Sequence, residues 1–267
     1  MTISLAWIRK VESIEELIVA TDSRLSFGCR WDCCPKIRIL PRNDVVVCFA
    51  GDTMYAYPIM LQMQSAVAQH PKLLNRAMDI TDLKGHLLRI LNNMVTLVHD
   101  LPVGLKNEPD TTFLVAGWSW KLGAFRSWLL HYDASIKRFT FRPSRSWTGP
   151  NQDKLLAITG DYEDAFKENL VRLLKERGKI KEGGFDMEPL EVLRDMLREN
   201  TYDKIGGAPQ VTKIYKYSNA KPFAIFWPNK DFGNINLSGR PLLDYEQSEY
   251  GVLDPDTMKI VKHTNIS

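Results

Sequence analysis

Thr2 follows the initiator Met1 and begins an apolar, strand-like run that extends to Ile8. Removal of Met1 would make Thr2 an N-terminal threonine, with a hydroxyl nucleophile and an α-amine on the same residue. The ordinary pKa of such an amine, about 7.7–8.0, suits a general base near neutral pH. Thr is small enough that methionine removal is expected in a cell. Many chains begin Met-Thr, so the residues that follow must distinguish a nucleophile from the first residue of a strand.

Three further segments each carry a residue that could do chemistry. They are the strand-like run 17–24, which contains Asp22, the run 36–40, which begins at Lys36, and the run 44–52, which reaches Gly51 before a helical pattern over 53–70. Taken singly, Asp22 is typical of a turn after a strand, Lys36 of a solvated strand start, and Gly51 of a strand-to-helix turn. Their order behind Thr2 is more specific than any one of them.

This order resembles a known family. A Thr behind the initiator, Asp-Ser-Arg after the second strand, Lys36, and Phe-Ala-Gly before a long helix are similar to the proteasome β-subunit and its simpler bacterial protease relatives, within the N-terminal-nucleophile (Ntn) hydrolases. The runs 112–118 and 123–133 resemble the family's central hairpin, and 155–162 resembles its strand-to-helix junction. The resemblance covers residues 2 to about 228, through order and spacing rather than any long motif.

The resemblance implies an α+β fold built as a four-layer αββα sandwich. Residues 1–228 would form the Ntn hydrolase domain, and residues 229–267 a C-terminal extension that packs on this domain or on a neighbouring subunit. The hydrophobic pattern predicts helices over 53–70, 80–99, 162–177 and 188–199, and strands over 111–118, 123–132, 136–142, 154–158, 209–217 and 222–228. A terminal hairpin is predicted from 250–253 and 258–261.

The resemblance also assigns catalytic roles. Lys36 would place positive charge beside the Thr2 hydroxyl, and Asp22 would compensate the desolvated lysine. The backbone N–H of Gly51, close to a helix N-terminus, would donate to the oxyanion.

Two supporting groups depart from the family pattern. Thr159 stands in for one supporting serine, as a hydroxyl just before Gly160. The segment 201–207 resembles the family's Asp-x-x-Ser-Gly-Gly, which makes Asp203 the supporting carboxylate, but it is one residue shorter and has Ile205 in place of the serine. Roughly four extra residues separate Thr2 from Asp22, and we expect a lengthened hairpin tip at 11–16 to absorb them.

The same resemblance predicts the substrate-binding residues. Cys34 and Phe49 would line an apolar pocket for the residue preceding the scissile bond, with Leu25 and Arg38 contributing. Ser26 would lie on a strand that pairs with an extended substrate backbone.

Composition excludes several classes of function. The 267 residues, 44% of them hydrophobic, can bury one substantial core, and a net charge of +3 is too small to argue for nucleic-acid binding. We expect no signal peptide, membrane span or cofactor, and a cytoplasmic protein. Four clustered cysteines and scattered histidines do not have the spacing of a zinc site, so no metal is predicted.

The sequence therefore predicts a threonine-type peptidase that cleaves amide bonds in peptide or protein substrates through a Thr2 acyl-enzyme. Because family members assemble as rings, the resemblance implies a homo-oligomer and an unfoldase or regulatory partner. Two alternatives stay open: a small-molecule amidase on the same fold, and a non-catalytic proteasome-like scaffold subunit, which the replacement of the serine by Ile205 favours.

Overall fold

The computed structural model describes residues 2–27, 29–101, 108–144, 156–181, 184–199, 201–217 and 219–261. The strands of this part of the chain are β1 (Ile3–Val11), β2 (Ile14–Thr21), β3 (Leu25–Phe27), β4 (Cys29–Trp31), β5 (Ile37–Ile39), β6 (Val45–Gly51), β7 (Thr111–Ser119), β8 (Ala124–Asp133), β9 (Arg138–Pro143), β10 (Leu156–Gly160), β11 (Gln210–Tyr215), β12 (Ala220–Trp227), β13 (Asn234–Leu237), β14 (Arg240–Pro241), β15 (Val252–Leu253) and β16 (Ile260–Val261). The helices are α1 (Thr53–Gln69), α2 (Pro71–Leu74), α3 (Ile80–Val95), α4 (Glu163–Glu176) and α5 (Glu188–Glu199).

Two mainly antiparallel sheets carry the fold. The larger has the order β10-β1-β2-β11-β12-β13-β14, with β15 paired to β12 and β16 to β15, and the smaller has the order β5-β6-β7-β8-β9. Strands β3 and β4 form a separate two-stranded ribbon. The mixture of helices and antiparallel sheets confirms the predicted α+β class.

Three apolar clusters join these elements. The first packs α4 and α5 against the larger sheet, around the fully buried Trp7, and the second packs α1 and α3 against the smaller sheet, around Phe113. The third contains residues from both sheets, such as Val19 of β2 and Leu114 of β7. The alternation of side chains along β1, β2, β6 and β7 produces this division, because successive residues of a strand face opposite sides of the sheet.

The predicted elements match the observed ones apart from their ends. The helix expected over 80–99 ends at Val95, because the Thr96 N–H and hydroxyl both donate to the Asn93 carbonyl, at 3.2 and 2.7 Å, and tighten the last turn. The strand expected over 154–158 begins at Leu156 in the structure; positions 154 and 155 lie outside the described residues.

Residues 11–16, where a lengthened hairpin tip was expected, form the end of the β1–β2 ladder and its turn. Val11 pairs with Ile14 across a two-residue turn at Glu12 and Ser13. The place of the extra residues stays a prediction. At the other end of the ladder Ser4 pairs with Thr21 and the Ile3 N–H donates to Asp22 Oδ1, so Asp22 lies beside the start of β1.

The described part of the predicted C-terminal extension continues the larger sheet. Ala224 of β12 pairs in parallel with Val252 of β15, and β15 pairs antiparallel with β16, at the position of the predicted terminal hairpin. Residues 262–267 lie outside the described part of the chain. The domain boundary at 228 stays a prediction. Across the described ranges, no helix is both long enough and apolar enough to cross a membrane.

Asp79 connects α3 to the turn between β7 and β8. Its buried carboxylate accepts hydrogen bonds from the Thr81 N–H (2.9 Å), the Ser119 hydroxyl (2.9 Å) and the Lys121 N–H (3.2 Å). Burial acts to raise the pKa of Asp79, but these hydrogen bonds together hold it below its ordinary value. The charged form is thus stabilised by folding.

We expect Asp79→Ala to lower the free energy of unfolding by about 1–2 kcal/mol at pH 7, as for other N-cap losses. Because the pKa of Asp79 is depressed in the folded state, its contribution is complete above the unfolded value of about 3.9 and is lost as the pH falls through the folded value. Urea denaturation of both proteins between pH 7 and pH 3 measures the difference in free energy of unfolding between the unsubstituted chain and Asp79→Ala. The exposed Asp231→Ala is the matched control, and an equal effect of both substitutions would contradict the assignment.

Candidate active site

Thr2 lies between the beginning of β1 and the end of β10. Its side chain has no exposure to solvent. The Thr2 carbonyl accepts a hydrogen bond from the Asp161 N–H at 2.7 Å, and Ile3 pairs with Gly160. The first residue of the strand is therefore fixed against the β10–α4 junction.

Lys36 bridges Thr2 and Asp22. Its Nζ lies 2.7 Å from Thr2 Oγ1 and 2.8 Å from Asp22 Oδ1, and all three side chains are fully buried. These residues come from the start of β1, the end of β2 and the residue before β5, so the structure brings together groups that are up to 34 positions apart.

Asp22 is oriented by backbone donors as well as by the lysine. Its Oδ1 also accepts from the Ile3 N–H at 3.2 Å, and its Oδ2 accepts from the N–H groups of Arg24 (3.0 Å) and Gly206 (3.1 Å). Both carboxylate oxygens are thus directed at donors. The charge of Asp22 is held where it can compensate Lys36.

Burial lowers the pKa of Lys36, and the charge and hydrogen bond of Asp22 oppose this effect without cancelling it. Desolvation destabilises an ammonium, whereas a carboxylate in contact stabilises it. The site consequently holds a lysine that gives up its proton more easily than a surface lysine does, in contact with the hydroxyl of Thr2.

Gly51 ends β6 in a conformation that requires glycine. Its φ is +107°, and a Cβ at this position would lie 2.1 Å from the Asp110 carbonyl oxygen. Asp52 caps the following helix by accepting from the Met54 N–H at 2.9 Å. Gly51 therefore lies just ahead of the positive end of the α1 dipole.

A cavity of about 590 Å³ opens beside these residues. It is mostly polar, and the predicted site residues Ser26, Gly51 and Thr159 lie in its wall. The other lining residues are Ala50, Asp52, Thr53, Asp110, Thr112, Arg142, Gly160, Asp161, Glu163 and Lys204. The wall of this cavity thus includes Gly160 and Asp161, both of which contact Thr2.

The structure does not bring the Asp203 carboxylate to Thr2. Asp203 is exposed, and its carboxylate accepts a hydrogen bond from the Tyr162 hydroxyl. Ile205, two residues further along the chain, is the physical reason, because its apolar side chain is buried in the cluster of α4 and α5. Thr159, by contrast, is buried in β10 opposite Ser4 and lines the cavity.

Asp161 takes the position beside the Thr2 nitrogen. Its Oδ2 accepts from the Thr2 N–H at 2.9 Å, and its Oδ1 lies 3.3 Å from Lys204 Nζ. Asp161 is not among the predicted site residues. An acidic residue just before a helix is common as a favourable partner of the helix dipole, so its sequence position carries no catalytic signal.

Gln210 is a second residue that the sequence analysis missed. Its buried amide accepts from the Lys36 N–H (3.0 Å) and the Ile37 N–H (3.3 Å), and donates to the Ser23 hydroxyl (2.9 Å) and the Cys34 carbonyl (2.8 Å). This one side chain ties the start of β5 to the turn after β2. No sequence pattern could reveal it, since its partners are more than 170 positions away.

The predicted substrate-binding residues lie around the same end of the sheets. Leu25 and Phe49 belong to the cluster of α1 and α3, where the Phe49 ring packs edge-on against Tyr57 at 5.3 Å. The thiol of Cys34 faces the Tyr57 hydroxyl, and burial raises the pKa of Cys34. The Ser26 hydroxyl oxygen is buried at the cavity wall and has no hydrogen-bond partner among the described residues.

All four thiols are free of disulfides. Within the described ranges, no group of three or more His, Cys, Asp or Glu side chains is placed to hold a metal ion.

We expect Gly160→Ala to destabilise the protein by at least about 3 kcal/mol. Gly160 has a φ of +121°, and a Cβ there would lie 1.9 Å from the Thr2 carbonyl oxygen. Chemical denaturation measures the loss. Gly123→Ala is the matched control, because Gly123 also has a positive φ, +57°, but nothing lies within 4 Å of an added Cβ. Similar decreases in the free energy of unfolding of the two variants would contradict the close approach of the Thr2 carbonyl to Gly160.

We expect Gln210→Leu to lower the free energy of unfolding by roughly 2–5 kcal/mol, because each buried backbone group left unsatisfied costs about 1–3 kcal/mol. The amides of Lys36 and Ile37 should also lose protection in hydrogen-exchange measurements. Gln62→Leu, on the α1 surface, is the control. Unchanged protection of both amides would show that Gln210 does not hold the start of β5.

Comparisons with known proteins agree with the architecture. No family model matches the chain, and no curated protein matches it. Among solved structures, it is similar to Anbu (ancestral beta-subunit) from Yersinia bercovieri, at 14% sequence identity and a TM-score of 0.55, over 82% of this chain and 85% of that one. At this identity the likeness shows the fold alone, and the fold of this chain is proteasome-like.

Proposed function

We propose that this chain is a threonine-type peptidase of the proteasome β type, in which Thr2 attacks the scissile amide after Met1 has been removed. The observation that carries the proposal is the buried contact of Lys36 Nζ with both Thr2 Oγ1 (2.7 Å) and Asp22 Oδ1 (2.8 Å). A hydroxyl that only began a strand would need neither a desolvated lysine nor a carboxylate to compensate it.

In the proposed reaction, Thr2 Oγ attacks the carbonyl carbon of the substrate and its proton passes to the Thr2 α-amine. Lys36 stabilises the negative charge that develops on Oγ, and Asp22 keeps the lysine oriented. The Gly51 N–H donates to the carbonyl oxygen as that oxygen becomes an oxyanion. The amine then gives its proton to the leaving nitrogen, the C–N bond breaks, and the acyl group remains as an ester on Thr2.

Hydrolysis of this ester completes the cycle. Water attacks the ester carbon, the α-amine accepts a proton from the water, and the Thr2 hydroxyl leaves with a proton returned to it. The product is a free carboxylic acid, and both the amine and the hydroxyl are regenerated. No cofactor is required for this sequence of steps.

A peptide is the substrate that this surface fits best. Ser26 lies on β3, a strand whose partner in the described ranges is β4, so an extended substrate can pair along the cavity side of β3. Leu25, Cys34 and Phe49 then offer an apolar pocket to the residue before the scissile bond. The unpartnered Ser26 hydroxyl is available to the substrate backbone.

The proposal extends to architecture and assembly. The three apolar clusters support a four-layer αββα arrangement, with one helix pair outside each sheet. A proteasome-like fold supports assembly of several copies into a ring, which would require an unfoldase or regulatory partner to deliver protein substrates.

The test is intact mass spectrometry of the protein before and after incubation with a β-lactone, which acylates activated threonines. We expect loss of Met1, one adduct per chain, and no adduct with Thr2→Ala. Lys36→Met should slow adduct formation by about 10²-fold or more, the size expected for the loss of one charged stabilising group. Lys121→Met is the matched control, because it removes an exposed lysine that is also paired to an aspartate, Asp82, at 2.6 Å.

The outcome also separates the rival functions. An adduct together with turnover of small acyl amides but not of peptides would indicate an amidase. A Met1-free protein that takes no adduct would contradict the hydrolase and favour the non-catalytic scaffold subunit. The burial of Ile205 where the family pattern has a serine supports that second candidate.

A further inference from the structure

Asp161 contacts Thr2 through both its backbone and its side chain. Its N–H donates to the Thr2 carbonyl at 2.7 Å, and its Oδ2 accepts from the Thr2 nitrogen at 2.9 Å. The preceding Gly160 permits this approach, since any side chain there would overlap the Thr2 carbonyl. The Thr2 nitrogen is therefore held by a carboxylate at a fixed distance.

Lys204 contacts the other oxygen of this carboxylate. Its Nζ lies 3.3 Å from Asp161 Oδ1, and the lysine comes from the loop before β11, far from Asp161 in the chain. The Asp161 side chain is 24% exposed and that of Lys204 is 46% exposed, so the pair lies at the mouth of the cavity rather than in the core. Charge on Asp161 is thus shared between Thr2 and a partly solvated lysine.

The remaining charges near Thr2 have other partners or lie across the cavity. Lys36 is compensated by Asp22, and Glu163 accepts from the Gly160 N–H and pairs with Lys167. The other charged residues that line the cavity are Asp52, Asp110 and Arg142. Among the described residues, the Asp161 carboxylate contacts the Thr2 nitrogen, and Lys204 Nζ contacts Asp161. The charge of Asp161 also acts on Lys36.

We propose that Asp161 is the positioning carboxylate of the Thr2 α-amine and that Lys204 sets how strongly its charge acts on that amine. This inference rests on the proposed function to the extent that the amine exists only after Met1 is removed. In this arrangement Asp161 performs the task that the family resemblance gave to Asp203.

The two residues must move the pKa of the amine in opposite directions. A carboxylate in contact stabilises the ammonium form, so Asp161→Asn lowers the pKa of the amine. Lys204 neutralises part of that carboxylate and is itself a nearby cation, so Lys204→Met raises the pKa. A substitution that only loosened the structure would not give shifts of opposite sign.

The experiment is a titration of the Thr2 amine itself. The full chain, released from an N-terminal fusion so that Thr2 is first, is labelled on its amines by reductive methylation with ¹³C-formaldehyde. The Thr2 signal is assigned by its absence from the chain that retains the fusion, and its chemical shift is followed against pH by NMR. We expect the pKa of the Thr2 amine to fall by about 0.5–1 pH unit in Asp161→Asn and to rise by about 0.3–0.5 pH unit in Lys204→Met. Asp164→Asn and Lys167→Met are matched controls, because this exposed pair also lies 3.3 Å apart at the start of α4 and should leave the amine unchanged.

Two results would overturn the inference: no shift in Asp161→Asn, or shifts of the same sign in both variants. The titration needs no turnover, so it separates this inference from the proposed function. Opposite shifts in a protein that takes no β-lactone adduct would support Asp161 and Lys204 while contradicting the hydrolase. An adduct on Thr2 with an unshifted amine in both variants would support the hydrolase and contradict the role of Asp161.

Discussion

The burial of the Lys36 ammonium is the constraint on which the site depends. Removing an ammonium from water costs several kcal/mol even after relaxation, and one contact with a carboxylate offsets this only if its geometry is fixed. Asp22 meets the condition because backbone N–H groups from three separate places also donate to it. The positions of the β1 start, the turn after β2 and the loop before β11 are therefore coupled. Thr2 lies where all of these converge.

Close approaches of backbone to backbone keep the same region compact. Gly51 and Gly160 end their strands at positive φ, and each lies against a carbonyl where no side chain could fit. Gly206 lies so close to the Arg24 guanidinium that a side chain there would overlap it, and the Gly206 N–H donates to Asp22. A glycine at each of the first two points lets the backbone of another segment approach, that of Asp110 at Gly51 and that of Thr2 at Gly160. The arrangement around Thr2 is thus stabilised by the absence of side chains as much as by charged contacts.

Asp203 and Asp161 show how local packing decides which carboxylate lies beside Thr2. Ile205 is apolar, and its side chain is buried in the cluster of α4 and α5. Asp203 consequently faces outward to Tyr162. Asp161 occupies the space beside the Thr2 nitrogen, one residue after the glycine that permits the approach. A carboxylate is thereby retained near Thr2, although it comes from a different segment of the chain.

The sequence by itself determined most of the longer elements and their order, because apolar periodicity and glycine positions are local properties. The helices at 53–69 and 188–199 and the paired strands at 111–119 and 124–133 lie within a few residues of their predicted bounds. The sequence also selected Thr2, Asp22, Lys36 and Gly51 as candidates, whose catalytic roles stay predictions. Only the tertiary structure decided which distant groups complete the site. Asp161, Lys204 and Gln210 make contacts with residues that are roughly 40 to 180 positions away in the chain. Such contacts depend on how the sheets and loops pack together, and no local pattern records them.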